Sequence, residues 1–484
     1  MIEYIKEHIW SLLLGLNYIL VIFAIAIILF KNINPTKTIT YILVLVMFPF
    51  VGLLVYYFFG QEYRKSKIFN RKNVLNKSIV KKISEDFTLN SKELEEFDDL
   101  LDEKMKLVHL LYNSEHTPLT RYNEVALLKN GKTKFKLLFE DLKKAKHHIH
   151  LEYYILKDDN IGTQLIDIIC ERARNGVSVK VSVDDVGSKI SNKAKRKMKE
   201  SGVECNAFMP VLFRGFTGKL NYRNHRKIAI IDGKIGYVGG INVSDNYVNY
   251  KNGESFWRDT HVRIVGEAVK PLQVNFLMTW NFVSNSDLKI TEELFPEVKT
   301  KHETAVQISA SGPDTNWPNI MEAMFVSINR AEDYVYVTTP YFIPNDEIIT
   351  ALQVAAKSNI DVRLIIPKMS DSWTAKHATN SYIEPLLEAG VKVYRYCNGF
   401  IHAKTMVVDD ILSTVGTTNM DHRSFNINFE INAIIYDKKT SVELKQHFLD
   451  DLKESEELDL KRWQERPISN KLKESYARLW SPLL

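Results

Sequence analysis

A short motif occurs twice in this chain, and the duplication constrains the fold more than any other feature of the sequence. Each copy has a His, a Lys two residues later and an Asp five residues after the Lys. In each copy a Gly follows the Asp by seven residues, and an Asn follows that Gly by three. The residues are His225, Lys227, Asp232, Gly239 and Asn242 in the first copy, and His402, Lys404, Asp409, Gly416 and Asn419 in the second. Chance does not produce two copies of so long a pattern, so the chain contains a diverged internal repeat.

The segments around the two copies share an alternation of strands and helices. The predicted order is strand, helix, strand, at 148–154, 162–175 and 177–183 in the first half and at 334–341, 346–357 and 361–366 in the second. Such alternation is typical of βα units that cover both faces of a sheet, and apolar runs at 228–231 and 406–408 suit strands buried on both sides. We therefore predict an α/β fold with two α/β/α sandwich domains, at 120–290 and 291–484, related by a pseudo-two-fold axis.

The spacing within the motif predicts where its side chains point. In an extended strand alternate residues share a face, so the His and the Lys of each copy project together. Two such pairs, brought together across the pseudo-two-fold axis, place two imidazoles and two ammonium groups around one phosphate, with Asn242 and Asn419 as neutral donors to its oxygens. One imidazole can attack phosphorus, while the other protonates the leaving alcohol and deprotonates the incoming one. The lysines neutralise the phosphate, so we expect neither a metal nor a cofactor.

The remaining candidate site residues are acids. Each imidazole needs an acceptor at its second ring nitrogen, and the candidates are the acids that open the strand after each motif, Asp259 and Glu430. Glu254 is a less favoured substitute for Asp259. The motif aspartates Asp232 and Asp409 complete the candidate catalytic set, although we expect them at strand ends, where they serve structure more than chemistry.

The N-terminal region differs in composition from the rest of the chain. Residues 10–30 and 39–59 are almost continuously apolar, and each run is long enough, at about 20 residues, for a helix to cross a hydrocarbon core. The short segment between them contains Pro35, so residues 1–62 are predicted to form a transmembrane helical hairpin. A pair of buried core helices is disfavoured because both runs lack charge, and a cleaved signal peptide because the first run is too long.

Cations are concentrated on one side of the predicted hairpin. Eight of them follow the second run: Arg64, Lys65, Lys67, Arg71, Lys72, Lys77, Lys81 and Lys82. By the positive-inside rule, the catalytic domains lie in the cytoplasm and the protein in the cell membrane. The cluster belongs to a basic juxtamembrane segment with a connector helix, at 63–119, and can also attract anionic headgroups. The three cysteines lack the spacing of a disulfide framework or a zinc site and fit a reducing compartment.

At the two motifs the chain resembles the phospholipase D superfamily, and its similarity to bacterial cardiolipin synthases covers nearly its whole length. The matching stretches are 223–227, 239–242, 256–261, 339–344, 399–404 and 419–425. The resemblance implies two phospholipase D-like domains that convert two phosphatidylglycerol molecules into cardiolipin and glycerol through a phosphatidyl-histidine, with His225 as the nucleophile by family tendency. Gly240 and Thr417 stand where the superfamily often has Ser, but neither change removes a nucleophile.

Other functions fit parts of the same pattern. A phospholipase D-type hydrolase would use water as the acceptor, and this alternative stays open because the same His activates either acceptor. A membrane-tethered nuclease needs a basic groove with interleaved aromatic residues, whereas the cations here cluster beside the apolar runs and the net charge is only +5. A lipid-binding scaffold needs no second acid–base imidazole. We therefore expect phosphatidylglycerol, cardiolipin and anionic membrane lipids as partners, and no nucleic acid; a homo-oligomer is left open.

Two further segments carry expectations of their own. For the apolar loop at 210–216 a buried loop is favoured, with a loop that dips into the membrane interface beside the site as the alternative hypothesis. Residues 189–199 carry six cations on a predicted helix, and a solvated face is favoured there over a lipid contact. The residues predicted to face inward from that helix are Ile190, Ala194 and Met198.

Overall fold

The computed structural model describes residues 2–30, 35–48, 50–59, 104–209, 222–248, 256–284, 288 and 291–484. These residues form two compact units, one with the N-terminal helices up to residue 59 and one with the residues from 104 onward. The basic cluster at 64–82, the apolar loop at 210–216 and Glu254 lie outside the described residues, so the expectations attached to them stay predictions.

The N-terminal unit contains α1 (Ile2–Phe30), α2 (Pro35–Met47) and α3 (Val51–Phe59). Within the described part of the chain, His8–Phe30 is the one segment long and apolar enough to cross a membrane. The second apolar run is divided between α2 and α3 at Phe50, which has a positive φ of 63°. The amide of Phe50, left without a helical partner, donates to Asn17 Oδ1 at 2.9 Å. The first predicted span is therefore one helix, whereas a second continuous span is not confirmed.

The first catalytic domain is built around one mixed sheet. Its strands are β1 (Asn123–Lys129), β2 (His148–Tyr153), β3 (Ser178–Asp184), β4 (Glu204–Phe208), β5 (Lys227–Ile231), β6 (Ile235–Gly239), β7 (Trp257–Arg258) and β8 (Thr260–Gly266). All but β7 form a seven-stranded sheet in the order β1-β8-β6-β5-β2-β3-β4. The helices up to the end of this domain are α4 (Met105–Glu115), α5 (Asn130–Lys143), α6 (Asn160–Arg174), α7 (Asn192–Glu200) and α8 (Val269–Ser284).

The second catalytic domain repeats this plan. Its strands are β9 (Ala305–Ser311), β10 (Tyr334–Thr338), β11 (Phe342–Ile343), β12 (Asp361–Pro367), β13 (Lys392–Tyr396), β14 (Phe400–Ile401), β15 (Thr405–Val408), β16 (Leu412–Gly416), β17 (Met420–Asp421), β18 (Glu430–Tyr436) and β19 (Ser455–Glu457). Its helices are α9 (Asn319–Asn329), α10 (Asp346–Lys357), α11 (Trp373–Ser381), α12 (Ile383–Glu388), α13 (His422–Asn426), α14 (Lys438–Lys453), α15 (Leu460–Gln464) and α16 (Ile468–Arg478). The eight-stranded sheet has the order β9-β18-β16-β15-β10-β12-β13-β19.

The two sheets have equivalent topologies. In the first, β2 pairs in parallel with β3 and antiparallel with β5; in the second, β10 pairs in parallel with β12 and antiparallel with β15. The second sheet differs by the additional edge strand β19. The predicted α/β fold with an internal repeat is therefore confirmed, while the exact domain boundaries stay predictions.

Both motif strands contribute to one apolar core shared by the two sheets. This core includes Ile228 and Ile230 from β5, Val407 from β15 and Ile431 from β18. Burial of alternate faces on strands from both halves fixes the register in which the sheets face each other. The shared core therefore fixes the positions of the two motif strands, and of the residues that precede them, relative to each other.

Two helices outside the motifs have assignable roles. Residues of α4, including Leu107 and Leu111, are buried in the core of the second domain. The end of the predicted connector segment therefore belongs to that core. On α7, Met198 is fully buried and Ala194 packs against the same cluster, which confirms the predicted inward face for these two residues. Ile190 packs there as well, but it precedes the helix, which begins at Asn192.

Candidate active site

Two short parallel contacts join the segments that precede the motifs to the opposite domain. β14 pairs with β7, and Asn224 forms a bridge with Phe429. In the first contact His402 N donates to Arg258 O at 2.7 Å, and in the second His225 N donates to Phe429 O at 2.9 Å. The same backbone contact thus occurs twice across the pseudo-two-fold axis. It places each motif histidine beside the residue that directly precedes the acid of the other domain, Asp259 or Glu430.

The histidine–acid pairs consequently cross between the domains. His225 Nδ1 lies 2.9 Å from Glu430 Oε1, and His402 Nδ1 lies 2.7 Å from Asp259 Oδ2. Both carboxylates are completely buried. An acceptor at Nδ1 keeps the proton there and leaves the lone pair on Nε2, the atom that can attack phosphorus or exchange a proton. The sequence indicated both acids, but not which histidine each one contacts.

Burial lowers the pKa of both imidazoles. The pKa of His225 falls to about 4, with the charge of Glu430 opposing the effect of burial. The pKa of His402 falls to about 3, and the nearby ammonium of Lys404 adds to the effect of burial. Both rings are therefore neutral near pH 7 without a bound anion, as a nucleophile requires. A phosphodiester anion beside them raises the imidazole pKa and allows one ring to act as an acid.

Each motif lysine contacts the backbone of the histidine in its own copy of the motif. Lys227 Nζ donates to His225 O at 2.6 Å, and Lys404 Nζ donates to His402 O. Burial lowers the pKa of Lys227 to about 7 and that of Lys404 to about 8, although neighbouring carboxylates oppose it. The ammonium of Lys404 further lowers the pKa of Lys227 and of His225, and that of Lys227 lowers the pKa of His402. The two motifs therefore act on each other electrostatically, and a bound anion would relieve the repulsion.

Aromatic residues that the sequence did not single out surround the imidazoles. The Tyr154 ring lies 5.0 Å from the His225 ring, and the Trp257 ring lies 5.5 Å from the His402 ring. The hydroxyl of Tyr247 is 3.5 Å from His402 Nδ1. These rings restrict each imidazole to one orientation. The tyrosine at 154 follows a strand and the tryptophan directly precedes the Arg258–Asp259 pair, but neither position carries a local signal of its function.

The two motif asparagines have different surroundings. Asn242 accepts from Ile155 N at 3.1 Å and donates to Tyr247 Oη at 2.8 Å. Asn419 Oδ1 is buried and has no hydrogen-bond partner among the described residues. Asn242 thus positions Tyr247, and hence His402, whatever else it binds. The expectation that both amides contact phosphate stays a prediction.

The two departures from the superfamily pattern both lie beside the orienting acids. A Cβ added to Gly240 would lie 2.1 Å from Asp259 Oδ1, so a larger residue would displace that carboxylate. Thr417 Oγ1 donates to Glu430 Oε2 at 2.5 Å and accepts from Ile431 N at 2.9 Å. A hydroxyl therefore supports one acid, whereas a missing side chain makes room for the other.

The motif aspartates do not share the surroundings of the imidazoles. Asp232 and Asp409 follow β5 and β15 at the ends opposite the histidines, and both have a φ of 54°. Asp232 accepts from the amides of residues 146–148, and Asp409 accepts from those of residues 332–334. Each carboxylate ties the strand end to the turn before the neighbouring strand. This geometry favours the structural role expected for them over a place in the catalytic set.

Comparisons with known proteins agree with this site. A family model described as "Cardiolipin synthase, PLD-like domain" matches residues 138–280 and 324–452, and a phospholipase D-nuclease N-terminal model matches residues 19–61. Among solved structures, the phosphatidylserine synthase of Haemophilus influenzae Rd KW20 aligns with a TM-score of 0.60 at 15% identity, covering 78% of this chain and 100% of that one. At this identity the likeness establishes the fold alone.

Several curated relatives match over almost the full length. A cardiolipin synthase of Geobacillus sp. (strain WCH70) is 40% identical over 98% of this chain and 93% of its own length. A cardiolipin synthase of Alkalihalophilus pseudofirmus is 41% identical over 96% and 92% of the two chains, and cardiolipin synthase 2 of Bacillus anthracis is 40% identical over 95% and 89%. With the duplicated motif, the equivalent sheets and the crossed histidine–acid pairs, these matches establish that the chain belongs to the cardiolipin synthase family of phospholipase D-like proteins.

Proposed function

We propose that this chain synthesises cardiolipin by transferring a phosphatidyl group from one phosphatidylglycerol molecule to another, with release of glycerol. The observation that carries the proposal is the pair of neutral imidazoles, each oriented by a buried acid of the opposite domain and flanked by Lys227 and Lys404. Relatives named cardiolipin synthase, which match nearly the whole chain, favour a lipid substrate over nucleic acid.

In the first half-reaction, His225 Nε2 attacks phosphorus and the bond between phosphorus and the glycerol oxygen breaks. The electron pair of that bond stays on the glycerol oxygen, which takes a proton from His402, so that glycerol leaves as a neutral alcohol. The phosphatidyl group remains on His225 through a phosphorus–nitrogen bond. Glu430 stabilises the positive charge that develops on the ring of His225.

In the second half-reaction, a hydroxyl of the second phosphatidylglycerol gives its proton to His402 as its oxygen attacks phosphorus. The phosphorus–nitrogen bond breaks, its electron pair returns to His225, and cardiolipin is formed. In both steps Lys227 and Lys404 neutralise the charge on the non-bridging oxygens, with Asn242 and Asn419 as further donors. The choice of His225 as the nucleophile follows the family tendency.

Product analysis tests the reaction. The full-length protein is reconstituted into vesicles that contain phosphatidylglycerol labelled in the headgroup glycerol and in an acyl chain. The proposal expects acyl label in cardiolipin and headgroup label in free glycerol. Phosphatidic acid as the main product would instead identify a hydrolase with water as the acceptor. Acid quenching followed by mapping of the phosphorylated peptide then identifies the nucleophile.

We also propose that α1 and the second apolar run both cross the cell membrane and leave the catalytic unit in the cytoplasm. The apolar length of α1 and the cations that follow the second run support this orientation. Cys397 is an exposed thiol in the catalytic unit and reports on the side. A membrane-impermeant maleimide should label it in inverted vesicles and not in intact cells. Labelling in intact cells would instead indicate that the catalytic unit lies outside the cytoplasm.

A further inference from the structure

The helix near the C-terminus, α16, has an apolar stripe on its outer face. The stripe consists of Ile468, Leu472 and Tyr476 on α16 and of Leu479 and Trp480 in the turn that follows it, and these residues are between 43% and 76% exposed. The first four follow each other at intervals of four, four and three residues, which places them on one side of an α-helix. A helix on a protein surface ordinarily directs such a stripe into the core, so this one is oriented the opposite way.

The opposite face of the same helix is held firmly by the protein. Ala477 is completely buried, and Glu474, 4% exposed, pairs with Arg466 at 2.8 Å. The guanidinium of Arg478 lies over the ring of Tyr382 at 4.7 Å. Together with the packing of α16 on the neighbouring helix α11, these contacts prevent the apolar stripe from turning inward by rotation of α16.

Positive charge borders the stripe. By their positions on the helix, Lys473 lies at one edge of the stripe and Lys471 towards the other; Arg478 lies beyond Lys471 and packs on Tyr382. Residues 461–484 contain six cationic and two acidic side chains, and the ion pair of Arg466 with Glu474 leaves five cations and one carboxylate. An exposed apolar face with cations at its edges is the pattern of a helix that lies in the interface of an anionic bilayer.

The elements that hold α16 also border the catalytic site. Its partner α11 begins at Trp373, and the preceding loop contains Met369; both side chains are 53% exposed. Between them, Asp371 accepts from Tyr341 Oη at 2.8 Å. The Asp371 carboxylate is close enough to the catalytic centre to raise the pKa of Lys404 against the effect of burial. Tyr341 directly precedes β11, which pairs with β17, so this hydrogen bond links the loop with two exposed apolar side chains to the segment that follows Asn419 of the second motif.

The chain beyond α16 returns to the same region. Arg423 N donates to Leu484 O at 2.7 Å. Arg423 lies on α13, which follows β17 and is capped by Asp421, whose carboxylate also raises the pKa of Lys404. Both neighbours of α16 thus connect it to segments around the catalytic lysine of the second domain.

We propose that the α16 stripe, together with Met369 and Trp373, rests on the surface of an anionic phospholipid bilayer and brings the mouth of the site to the headgroups. The choice of a bilayer as occupant rests on the proposed function, because the phosphodiester must be taken from lipid, and on the cations that border the stripe. A second copy of the chain is disfavoured because a two-fold contact between two such stripes would bring Lys471, Lys473 and Arg478 of each copy close to the same cations.

A local probe in the full-length protein tests the contact without interference from the N-terminal helices. Leu472→Cys is introduced together with Cys397→Ser and Cys205→Ser, and the new thiol is labelled with an environment-sensitive fluorophore. The matched control is Val442→Cys on α14, which is also apolar and 44% exposed. Both proteins are reconstituted into phosphatidylglycerol vesicles with and without lipids that carry a quencher in the acyl chain.

The proposal expects a blue-shifted emission and strong quenching at position 472, with neither effect at position 442. Equal spectra and equal quenching at the two positions would overturn it. A blue shift at 472 that grows with the protein-to-lipid ratio and is insensitive to the lipid quencher would identify a second copy as the occupant, and would overturn it as well. None of these outcomes depends on turnover, so they are separate from the fate of the proposed reaction.

A kinetic comparison shows whether the bilayer surface serves the substrate. The double variant Ile468→Ser/Leu472→Ser removes two exposed apolar side chains and should fold, because neither one is buried. We expect a roughly three- to tenfold lower rate on vesicles, because two fewer apolar side chains enter the bilayer interface. The rate on short-chain phosphatidylglycerol dispersed as monomers should be unchanged. An equal decrease on both substrates would contradict a role at the bilayer surface.

Discussion

The two catalytic domains share one plan but are not equal around their histidines. In both, a motif histidine contacts an acid that opens, or directly precedes, a strand of the other domain, at 2.9 Å for His225 with Glu430 and 2.7 Å for His402 with Asp259. Neither domain therefore contains a complete histidine–acid pair. The site exists only where the two domains meet, and a single domain with an intact motif would lack an oriented imidazole.

Around the histidines, the halves differ in the groups that support the acids and the rings. A hydroxyl from Thr417 supports Glu430, whereas Gly240 only leaves room for Asp259. The hydroxyl of Tyr247 approaches His402, and the edge of Tyr154 approaches His225. The repeated motif residues thus provide the chemistry common to both steps. The residues that differ between the halves can give one histidine the role of nucleophile and the other the role of acid–base group.

Removal of either imidazole should have the largest effect. We expect His225→Ala and His402→Ala each to lower kcat by about 10⁴-fold or more, because one loses the nucleophile and the other the acid–base group. The measurement is cardiolipin formation from labelled phosphatidylglycerol by the reconstituted protein. Substantial turnover in either variant would mean that its imidazole is dispensable.

A phosphatidyl ester of p-nitrophenol separates the two roles. Its leaving group departs without a proton, so the variant that lacks the acid should still release p-nitrophenol in a first turnover, while the variant that lacks the nucleophile should not. With the assignment proposed here, His402→Ala retains this burst and His225→Ala loses it. The reverse result would exchange the roles of the two domains.

The next largest effect is expected from the crossed acids. We expect Glu430→Gln and Asp259→Asn to lower kcat by about 10²- to 10⁴-fold, because the amide neither fixes the Nδ1 proton nor stabilises the charged ring. The crossed pairing makes a sharper prediction for double variants. Glu430→Gln added to His225→Ala should cost little more, whereas Glu430→Gln added to His402→Ala should lower the first-turnover rate with the p-nitrophenyl ester further. First-turnover rates with that ester compare His402→Ala with and without Glu430→Gln, and residual cardiolipin formation compares His225→Ala with and without it, because His225→Ala gives no burst.

Much of this comparison was predictable from sequence because its signals are local. The period of apolar residues predicted the strands of both halves, and the spacing of the motif predicted that His and Lys project together. The acids Asp259 and Glu430 were found because each opens a predicted strand. Their crossed assignment was not predictable, because it depends on backbone contacts between segments of different domains, such as that of Asn224 with Phe429.

Other features could not be predicted from the sequence, for different physical reasons. Tyr247 and Trp257 reach His402 through tertiary packing and leave no periodic signal in the sequence. The interruption of the second apolar run at Phe50 was missed because hydropathy alone counts length, although Pro49 in the sequence is a residue that disfavours a continuous helix. The apolar stripe of α16 has ordinary helical spacing, and only its exposure in the structure distinguishes it from a core face.

The pH dependence of kcat and kcat/KM should report on the protonation of both motif lysines. The pKa of Lys227 is lowered to about 7 and that of Lys404 to about 8, so kcat/KM should fall as pH rises through this range, because the lysines lose the charge that attracts the phosphodiester. Bound phosphodiester raises both lysine pKa values, so the alkaline limb of kcat should lie at higher pH than that of kcat/KM. A pH series at saturating and at limiting substrate measures both limbs. Coincident limbs would argue against contact between the lysines and the phosphodiester.

A smaller effect is expected where the domains differ. Thr417→Val removes the hydroxyl that donates to Glu430 and should lower kcat by about tenfold, since a hydrogen bond to a buried charge contributes about 1.5 kcal/mol or more. Thr417→Ser keeps that donor and serves as the matched control. If the role is to position Glu430, the valine variant should also shift the acid limb of the pH profile, which depends on the pKa of His225. An unchanged profile in both variants would make the threonine a packing residue only.

The smallest effect on turnover is expected at the motif aspartates. Asp232→Asn and Asp409→Asn should retain kcat within a few-fold, because both carboxylates bind backbone amides at the strand ends opposite the histidines. Asn also tolerates the positive φ of 54° that both positions adopt. Their effect should instead appear in thermal unfolding. A loss of turnover as large as that of the histidine variants, in a folded protein, would return the aspartates to the catalytic set.

The variants of the two aspartates should differ from each other in stability, because among the described residues only Asp409 has a buried ionic partner. Lys104 Nζ lies 3.0 Å from Asp409 Oδ2, with both side chains 5% exposed, whereas Asp232 accepts from backbone amides alone within the described part of the chain. Asp409→Asn leaves that ammonium buried without its carboxylate and should cost about 3 kcal/mol, against about 1–2 kcal/mol for Asp232→Asn. Adding Lys104→Met to Asp409→Asn should recover part of the loss, since it removes the unpaired charge. If the double variant were no more stable than Asp409→Asn alone, the difference between the two strand ends would not arise from this ion pair.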